Sequence, residues 1–219
     1  MGDPQQTEPA PSDDCSVQVL SGDHAAACAE LHRTGIDSGF LSSLGLGFLK
    51  QLYAAIPSCP AGFGFVWQDD PGEILGFVAC SEATGRLYKQ ALLRRGVRMS
   101  LPLAKFLVRP SVLKRLWHTW RYPAETEGQG DLPPAEILSI AVSPAARGRG
   151  VARSLLAAAF AEFAKRGIGQ AKVAVWAENA PANALYQKVG FALVQQREHH
   201  GLPMNIYTVA TEPGTGMPG

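Results

Sequence analysis

The chain has 219 residues, of which 46% are hydrophobic and 18% are charged, and its formal net charge at pH 7 is +1. That length is enough for one large domain with a buried core. No apolar run approaches the ~18 residues of a transmembrane helix, and the acidic, Pro-rich N-terminus is unlike a signal peptide. We therefore expect a cytoplasmic globular protein without a transmembrane segment.

The first part of the chain predicts a tail followed by strands and helices. Residues 1–14 hold three prolines and four acids and little that is apolar, so they predict a disordered tail. The patterns that follow predict a strand at 17–20, a helix at 23–31, a long amphipathic helix at about 38–56, and a hairpin of strands 63–68 and 74–80.

A strongly basic segment comes next, although the net charge of the whole chain is close to zero. Ten Lys or Arg residues and no acidic residue lie between Arg86 and Arg121. Apolar residues fall at helical spacing through this segment, and a polar loop follows at 123–134. We predict two or three short basic helices there.

The C-terminal part predicts a strand beginning at Glu136, a glycine-rich loop, and a helix at 153–166. The remaining elements are a strand at 170–176, a short helix capped by Asn179 and ended by Gly190, strands at 191–197 and 205–210, and a loose tail at 211–219. The four cysteines show no metal or redox spacing, so we predict buried free thiols and no metal site. They are Cys15, Cys28, Cys59 and Cys80.

The loop between this strand and helix has the composition of a phosphate site. Arg147 to Ala152 reads Arg-Gly-Arg-Gly-Val-Ala and enters a helix, so free N–H groups and the helix dipole favour an anion. Its Arg-x-x-Gly-x-Ala spacing is neither the Walker nor the Rossmann pattern, which argues against both nucleotide sites.

The order of elements, the Arg-x-x-Gly-x-Ala loop, and the downstream run from Asn179 through Tyr186 to Gly190-Phe191 together resemble the GNAT superfamily of acyl-CoA-dependent N-acyltransferases. The resemblance implies a single α/β (α+β) domain with a mixed, mostly antiparallel sheet of about seven strands flanked by helices. On this basis the domain spans 15–210, with a basic helical insert at 86–134 between the third and fourth strands.

The resemblance also implies acetyl-CoA as cofactor and assigns its site. The loop residues that would hold the CoA pyrophosphate are Arg147, Gly148, Arg149, Gly150, Val151 and Ala152, with Arg153 adding charge. Ile140, Ala141 and Val142 would pair their main chain with the pantetheine arm and the acetyl carbonyl. Asn179 would contact the cofactor arm, and the alternative is a helix cap alone.

Two residues are candidates for proton transfer. Tyr186 occupies the position of the family's general acid, and a free Tyr has a pKa near ~10, so it can donate at pH 7; the alternative is a core residue. Glu136 stands where histone-acetylating relatives carry a glutamate base, and the alternative is a solvated acid at the start of a strand. Neutralising a Lys amine at pH 7 costs about 4.6 kcal/mol, against about 1 for an α-amine.

We predict direct transfer of an acetyl group to a primary amine of a small molecule, amino sugar or peptide. The sequence shows neither a Cys paired with a His nor a Ser-elbow motif, so nothing in it indicates a covalent intermediate. The insert could cover an anionic acceptor, dock on RNA or ribosomes, lie on an anionic membrane, or be only a basic solvent face. A non-catalytic acyl-CoA binder is the competing class, and the oligomeric state is not readable from sequence.

Overall fold

The computed structural model describes residues 16–36, 40–69, 72–91, 93–94, 132–199 and 201–211. Within them, seven strands form one sheet in the order β1-β2-β3-β4-β5-β7-β6. The strands are β1 (Ser16–Val19), β2 (Gly62–Gln68), β3 (Ile74–Ser81), β4 (Glu136–Val142), β5 (Gln170–Trp176), β6 (Ala192–His199) and β7 (Leu202–Ala210). Neighbouring strands are antiparallel except for the parallel pair β4 and β5, which confirms the predicted sheet.

Helices pack on both faces of this sheet. They are α1 (Ala25–Gly35), α2 (Phe40–Ser43), α3 (Leu46–Ala55), a helical segment α4 at 84–91, α5 (Val151–Lys165) and α6 (Ala180–Lys188). One core cluster, with Leu155 and Phe163, lies between the sheet and α5 and α6. A second cluster, with Leu49, Tyr53 and Phe77, lies between the sheet and α1 and α3. The middle of the sheet, β3 above all, is therefore buried on both faces, as in other layered α/β domains, whereas the edge strands β1 and β6 are mostly exposed.

The predicted single helix at 38–56 is wrong. Two helices, α2 and α3, occupy this stretch, and the chain turns between them at Gly45, whose φ is +82°. Glycine adopts that angle without steric cost. The apolar periodicity thus continues across a point where the helix ends. The helix predicted at 153–166 also begins earlier than expected, at Val151.

The parallel strands β4 and β5 are joined over a short distance only. Glu136 pairs with Lys172 and Ile137 pairs with Val173. Beyond these two rungs, residues 138–142 have no registered partner in β5 among the described residues, although β4 stays paired with β3. The strands therefore open into a gap, which we call the β4/β5 split. The main-chain groups of β4 that face β5 line one edge of this gap.

Several predictions concern residues outside the described ranges. The tail at 1–14, Cys15, most of the insert at 86–134 and residues 212–219 belong to this group. Cys28, Cys59 and Cys80 are buried free thiols, as predicted. Within the described ranges, no helix combines the length and the apolar character that crossing a bilayer requires.

Candidate active site

The glycine-rich loop between β4 and α5 exposes main-chain N–H groups. Gly148 and Gly150 both have a φ of +78°, an angle that side chains with a Cβ rarely adopt, so the loop requires glycine at both positions. The first hydrogen bond within α5 runs from the Ser154 N–H to the Gly150 carbonyl at 3.0 Å. The N–H groups of the turn before Ser154 therefore point out of the helix, at the positive end of its dipole.

A cavity of about 350 Å³ lies against this loop. Seven residues that we predicted to bind the cofactor line it, namely Val142, Arg147, Gly148, Gly150, Val151, Ala152 and Arg153. Apolar walls, several cations and outward N–H groups suit a ligand that joins phosphates to an apolar arm.

Sequence reasoning missed four further residues that line this cavity, namely Ala146, Leu185, Lys188 and Val189. The most informative of them is Lys188, which adds a third cation from the last turn of α6. The sequence signal available for Lys188 was its position as a cation in the same helix as Tyr186.

The other predicted cofactor residues lie outside the cavity lining. The Arg149 Nη1 is 3.4 Å from the Asp69 Oδ2, beyond the end of β2. Ile140 and Ala141 lie on β4 along the β4/β5 split. The Asn179 Oδ1 accepts a hydrogen bond from the Ala182 N–H at 3.2 Å, which confirms the helix cap. Contact of Asn179 with a cofactor stays a prediction.

Gly76 in β3 allows α5 to approach the sheet closely, and sequence reasoning missed it. It pairs with Val142, and a Cβ at this position would lie 2.9 Å from the Val151 Cγ1 and 3.2 Å from the Leu155 Cδ1. A glycine inside a strand pattern often marks such a close approach, so the signal was present. Gly76 thus allows the start of α5, and with it the glycine-rich loop, to lie close to the sheet.

Asn183, also missed, joins β5, α6 and β7 through its side-chain amide. Its Nδ2 donates at 2.8–3.2 Å to three main-chain carbonyls, those of Trp176, Ala177 and Asn179. Its Oδ1 accepts from the Asn205 Nδ2 and the Tyr207 Oη, both at 2.8 Å. The end of β5 that borders the β4/β5 split is therefore held by this buried side chain as well as by its pairing with β7.

Tyr186 lies on α6 with its side chain only 4% exposed. Its ring centroid is 5.2 Å from that of Phe191 and 6.1 Å from that of Tyr207. Burial, with a smaller effect of Cys80, raises the pKa of the Tyr186 phenol. The hydroxyl therefore keeps its proton at neutral pH, so a core position and a role as proton donor are compatible.

Glu136 is buried, with 8% exposure, so the alternative of a solvated strand-start acid is wrong. Its Oε2 accepts a hydrogen bond from the Thr84 Oγ1 at 2.7 Å, and buried Lys172 lies across the rung to β5. Burial raises the pKa of the Glu136 carboxyl, while Lys172 and the Thr84 hydrogen bond act in the lowering direction. A carboxylate with a raised pKa binds a proton more readily than an exposed one, as a base must.

The two candidate proton-transfer residues lie on opposite faces of the sheet. Ala135 and Ile137 flank Glu136 and belong to the core under α5 and α6, as does Tyr186. Because successive strand residues point to alternate faces, the Glu136 side chain is directed toward the α1 and α3 side. Glu136 also forms the first rung of the β4–β5 pairing, close to where the β4/β5 split opens.

Comparison with known sequences identifies relatives of this chain. The sequence profile of the acetyltransferase (GNAT) family matches residues 35–191. A mycothiol acetyltransferase from Saccharomonospora viridis is 35% identical over 74 residues, which is 34% of this chain and 24% of that protein. The chain therefore matches only a small part of the length of that relative.

Two solved structures share the fold across nearly their full lengths. The acetyltransferase yncA from Salmonella typhimurium, solved with acetyl-CoA, has a TM-score of 0.59 at 14% identity, covering 93% of this chain and 97% of its own. The ribosomal-protein-S18-alanine N-acetyltransferase from Escherichia coli has a TM-score of 0.57 at 15% identity, covering 91% and 96%. At such identities the likeness establishes the fold.

Proposed function

Because this chain belongs to the GNAT acetyltransferase family, we propose that it transfers an acetyl group from acetyl-CoA directly to a primary amine. The acceptor belongs to a small molecule, an amino sugar or a peptide. The observation that carries the proposal is the β4/β5 split, which leads along β4 to Val142 and the cavity next to the glycine-rich loop. In this proposal residues 147–152 hold the pyrophosphate and are called the phosphate loop.

The residues of this region fit acetyl-CoA, which supplies an activated acetyl thioester. The outward N–H groups of the phosphate loop, with Arg147, Arg153 and Lys188 nearby, provide donors and charge for a pyrophosphate. On the side that faces β5, the main chain of 138–142 has no registered strand partner among the described residues. Because buried N–H and C=O groups require partners, an amide-containing arm is a suitable occupant of this edge.

Proton transfer is assigned to the two residues on opposite faces of the sheet. Glu136 takes the proton of the attacking amine, directly or through water, as the C–N bond forms. Tyr186 donates to the CoA sulfur as the C–S bond breaks, from the side of α6. Support for these roles comes from the burial of both side chains, from the raised pKa of the Glu136 carboxyl, and from the proton that the Tyr186 phenol keeps at neutral pH.

Release of free CoA thiol from acetyl-CoA across a panel of amines tests the proposal. The panel contains amino sugars, polyamines, peptides and amino acids, and mass spectrometry checks each acceptor for one added acetyl group. We expect turnover with at least one acceptor class. Tight acetyl-CoA binding without turnover on any amine would instead indicate a non-catalytic acyl-CoA binder.

The role of Glu136 is tested separately with Glu136→Gln. We expect a large loss of kcat with unchanged acetyl-CoA affinity, because the amide keeps the shape but binds no proton. Glu30→Gln, which alters an exposed carboxylate on α1 paired with Arg33, is the matched control and should retain full activity. A Glu136→Gln rate equal to that of the wild type at every pH would remove Glu136 from the mechanism.

A further inference from the structure

We propose that Thr84 is a positioning residue for the general base, Glu136. Helix α4, which lies where the basic insert begins, is in this way coupled to catalysis. This inference rests on the proposed function, because it takes Glu136 as the base. Thr84 itself lies outside the lining of the cavity next to the phosphate loop.

The contact between Thr84 and Glu136 is a buried tertiary hydrogen bond. The Thr84 Oγ1 donates to the Glu136 Oε2 at 2.7 Å, across 52 residues of chain, and Thr84 is 6% exposed. A hydrogen bond to a charged oxygen is stronger than one between neutral groups, and exclusion of water strengthens it further. The bond fixes one oxygen of the carboxylate and hence the direction of the other.

The helix that carries Thr84 is itself firmly held. Leu87 and Ala91 of α4 are buried in the core on the α1 and α3 side. The Gln90 Oε1 accepts a hydrogen bond from the Ala61 N–H at 3.1 Å, before β2. The Thr84 hydroxyl therefore reaches Glu136 from a packed helix. Its position does not depend on a freely rotating side chain at the surface.

The other groups that face Glu136 leave Thr84 as its side-chain donor. Ser81 pairs with Glu136 across β3 and β4, but its Oγ donates to the Ala61 carbonyl at 3.3 Å. Lys172 lies opposite Glu136 on β5 and acts on it through charge. Within the described residues, Thr84 thus supplies the direct hydrogen bond and Lys172 the longer-range attraction.

A donor to the carboxylate stabilises its charged form and lowers its pKa. Loss of the Thr84 hydroxyl should therefore raise the pKa of Glu136. Because a base acts only when deprotonated, the acid side of the pH profile of kcat should move to higher pH. A residue that merely packed against Glu136 would change stability without moving this limb in a fixed direction.

The test is the pH profile of kcat, at saturating acetyl-CoA and saturating acceptor amine, for the full chain. In Thr84→Val, which keeps the shape but loses the donor, we expect the acid limb to move up by about one pH unit. Thr84→Ser restores the donor and should return the limb to its wild-type position. Thr34→Val, which removes an exposed hydroxyl bonded to main-chain carbonyls of α1, should leave the limb in place.

An unmoved limb in Thr84→Val, together with a limb abolished by Glu136→Gln, would overturn this inference and leave the proposed base intact. A limb that persists in Glu136→Gln would overturn both. Thermal unfolding establishes that each variant is folded, and Thr84→Ala, which also lacks the donor, replaces Thr84→Val if the valine variant does not fold. Either donor-free variant must move the limb upward for the inference to stand.

Discussion

The close approach of α5 to the sheet at Gly76 makes a prediction about acetyl-CoA binding. In Gly76→Ala the new Cβ would lie 2.9 Å from the Val151 Cγ1, 3.2 Å from the Leu155 Cδ1 and 3.3 Å from the Ala141 carbonyl oxygen. Val151 has one strongly preferred side-chain rotamer in a helix. The start of α5 therefore has to move away from the sheet, and the phosphate loop moves with it.

The size of the effect follows from these distances. Carbon atoms pack best at about 3.5–4.0 Å, so the Val151 Cγ1 has to retreat by roughly 0.6 Å. Overpacking of this kind costs about 1–3 kcal/mol, and the lower chain entropy of alanine returns about 0.5–1 kcal/mol. We expect a net loss of about 1–2 kcal/mol in unfolding free energy, and displaced N–H groups should weaken acetyl-CoA binding by about fivefold to tenfold.

Calorimetric titration with acetyl-CoA, together with urea unfolding, measures both effects. Gly22→Ala is the matched control, because a Cβ at Gly22 has nothing within 4 Å, and it should bind like the wild type. Adding Val151→Ala to Gly76→Ala removes the clashing methyl and should recover part of the lost affinity, as a double-mutant cycle detects. Affinity within about twofold of the wild type in Gly76→Ala would refute this account of the loop's position.

Two further predictions concern buried polar side chains. Asn183→Ala should lower the unfolding free energy by about 2–4 kcal/mol, because it leaves several buried polar groups without a hydrogen-bond partner. Asn179→Ala, which loses only a helix cap, should lower it by about 1 kcal/mol. Equal losses of the two variants in urea unfolding would contradict the role of Asn183. Burial lowers the pKa of His32 from 6.5 to about 4, so the unfolded chain binds more protons between these values and stability is lost as pH falls from 6.5 toward 4. His32→Gln should remove up to about 3 kcal/mol of this pH dependence, and identical slopes of unfolding free energy against pH in the two proteins would contradict the burial of a neutral imidazole.

Local patterns were sufficient for most of the fold. The β2–β3 hairpin, β4, the glycine-rich turn after β4, the Asn179 cap and β5 are all specified by residues close together in the chain, and the structure confirms each of these elements. The helix break at Gly45 was not predicted because apolar spacing continues through it. A periodic pattern reports which residues face a core, and it does not report whether one helix or two present them.

Contacts between distant segments could not be predicted in the same way. Sequence placed Glu136 at a strand start but left open whether it was solvated, since its burial depends on Thr84 and Lys172 from other elements. Asn183 resembles any polar residue of a short helix until β5 and β7 surround it. Gly76 and Lys188 carried weaker signals, whose meaning required the position of α5 and of the cavity.

In the proposed binding mode, acetyl-CoA occupies the β4/β5 split with its pyrophosphate on the phosphate loop. Amide hydrogen exchange, measured with and without acetyl-CoA, tests this most directly, because a ligand that pairs with main-chain N–H groups slows their exchange. We expect slower exchange at 138–142 and 147–153 on binding, with little change in the β2–β3 hairpin. Protection elsewhere, with unchanged exchange in both of these segments, would contradict the account.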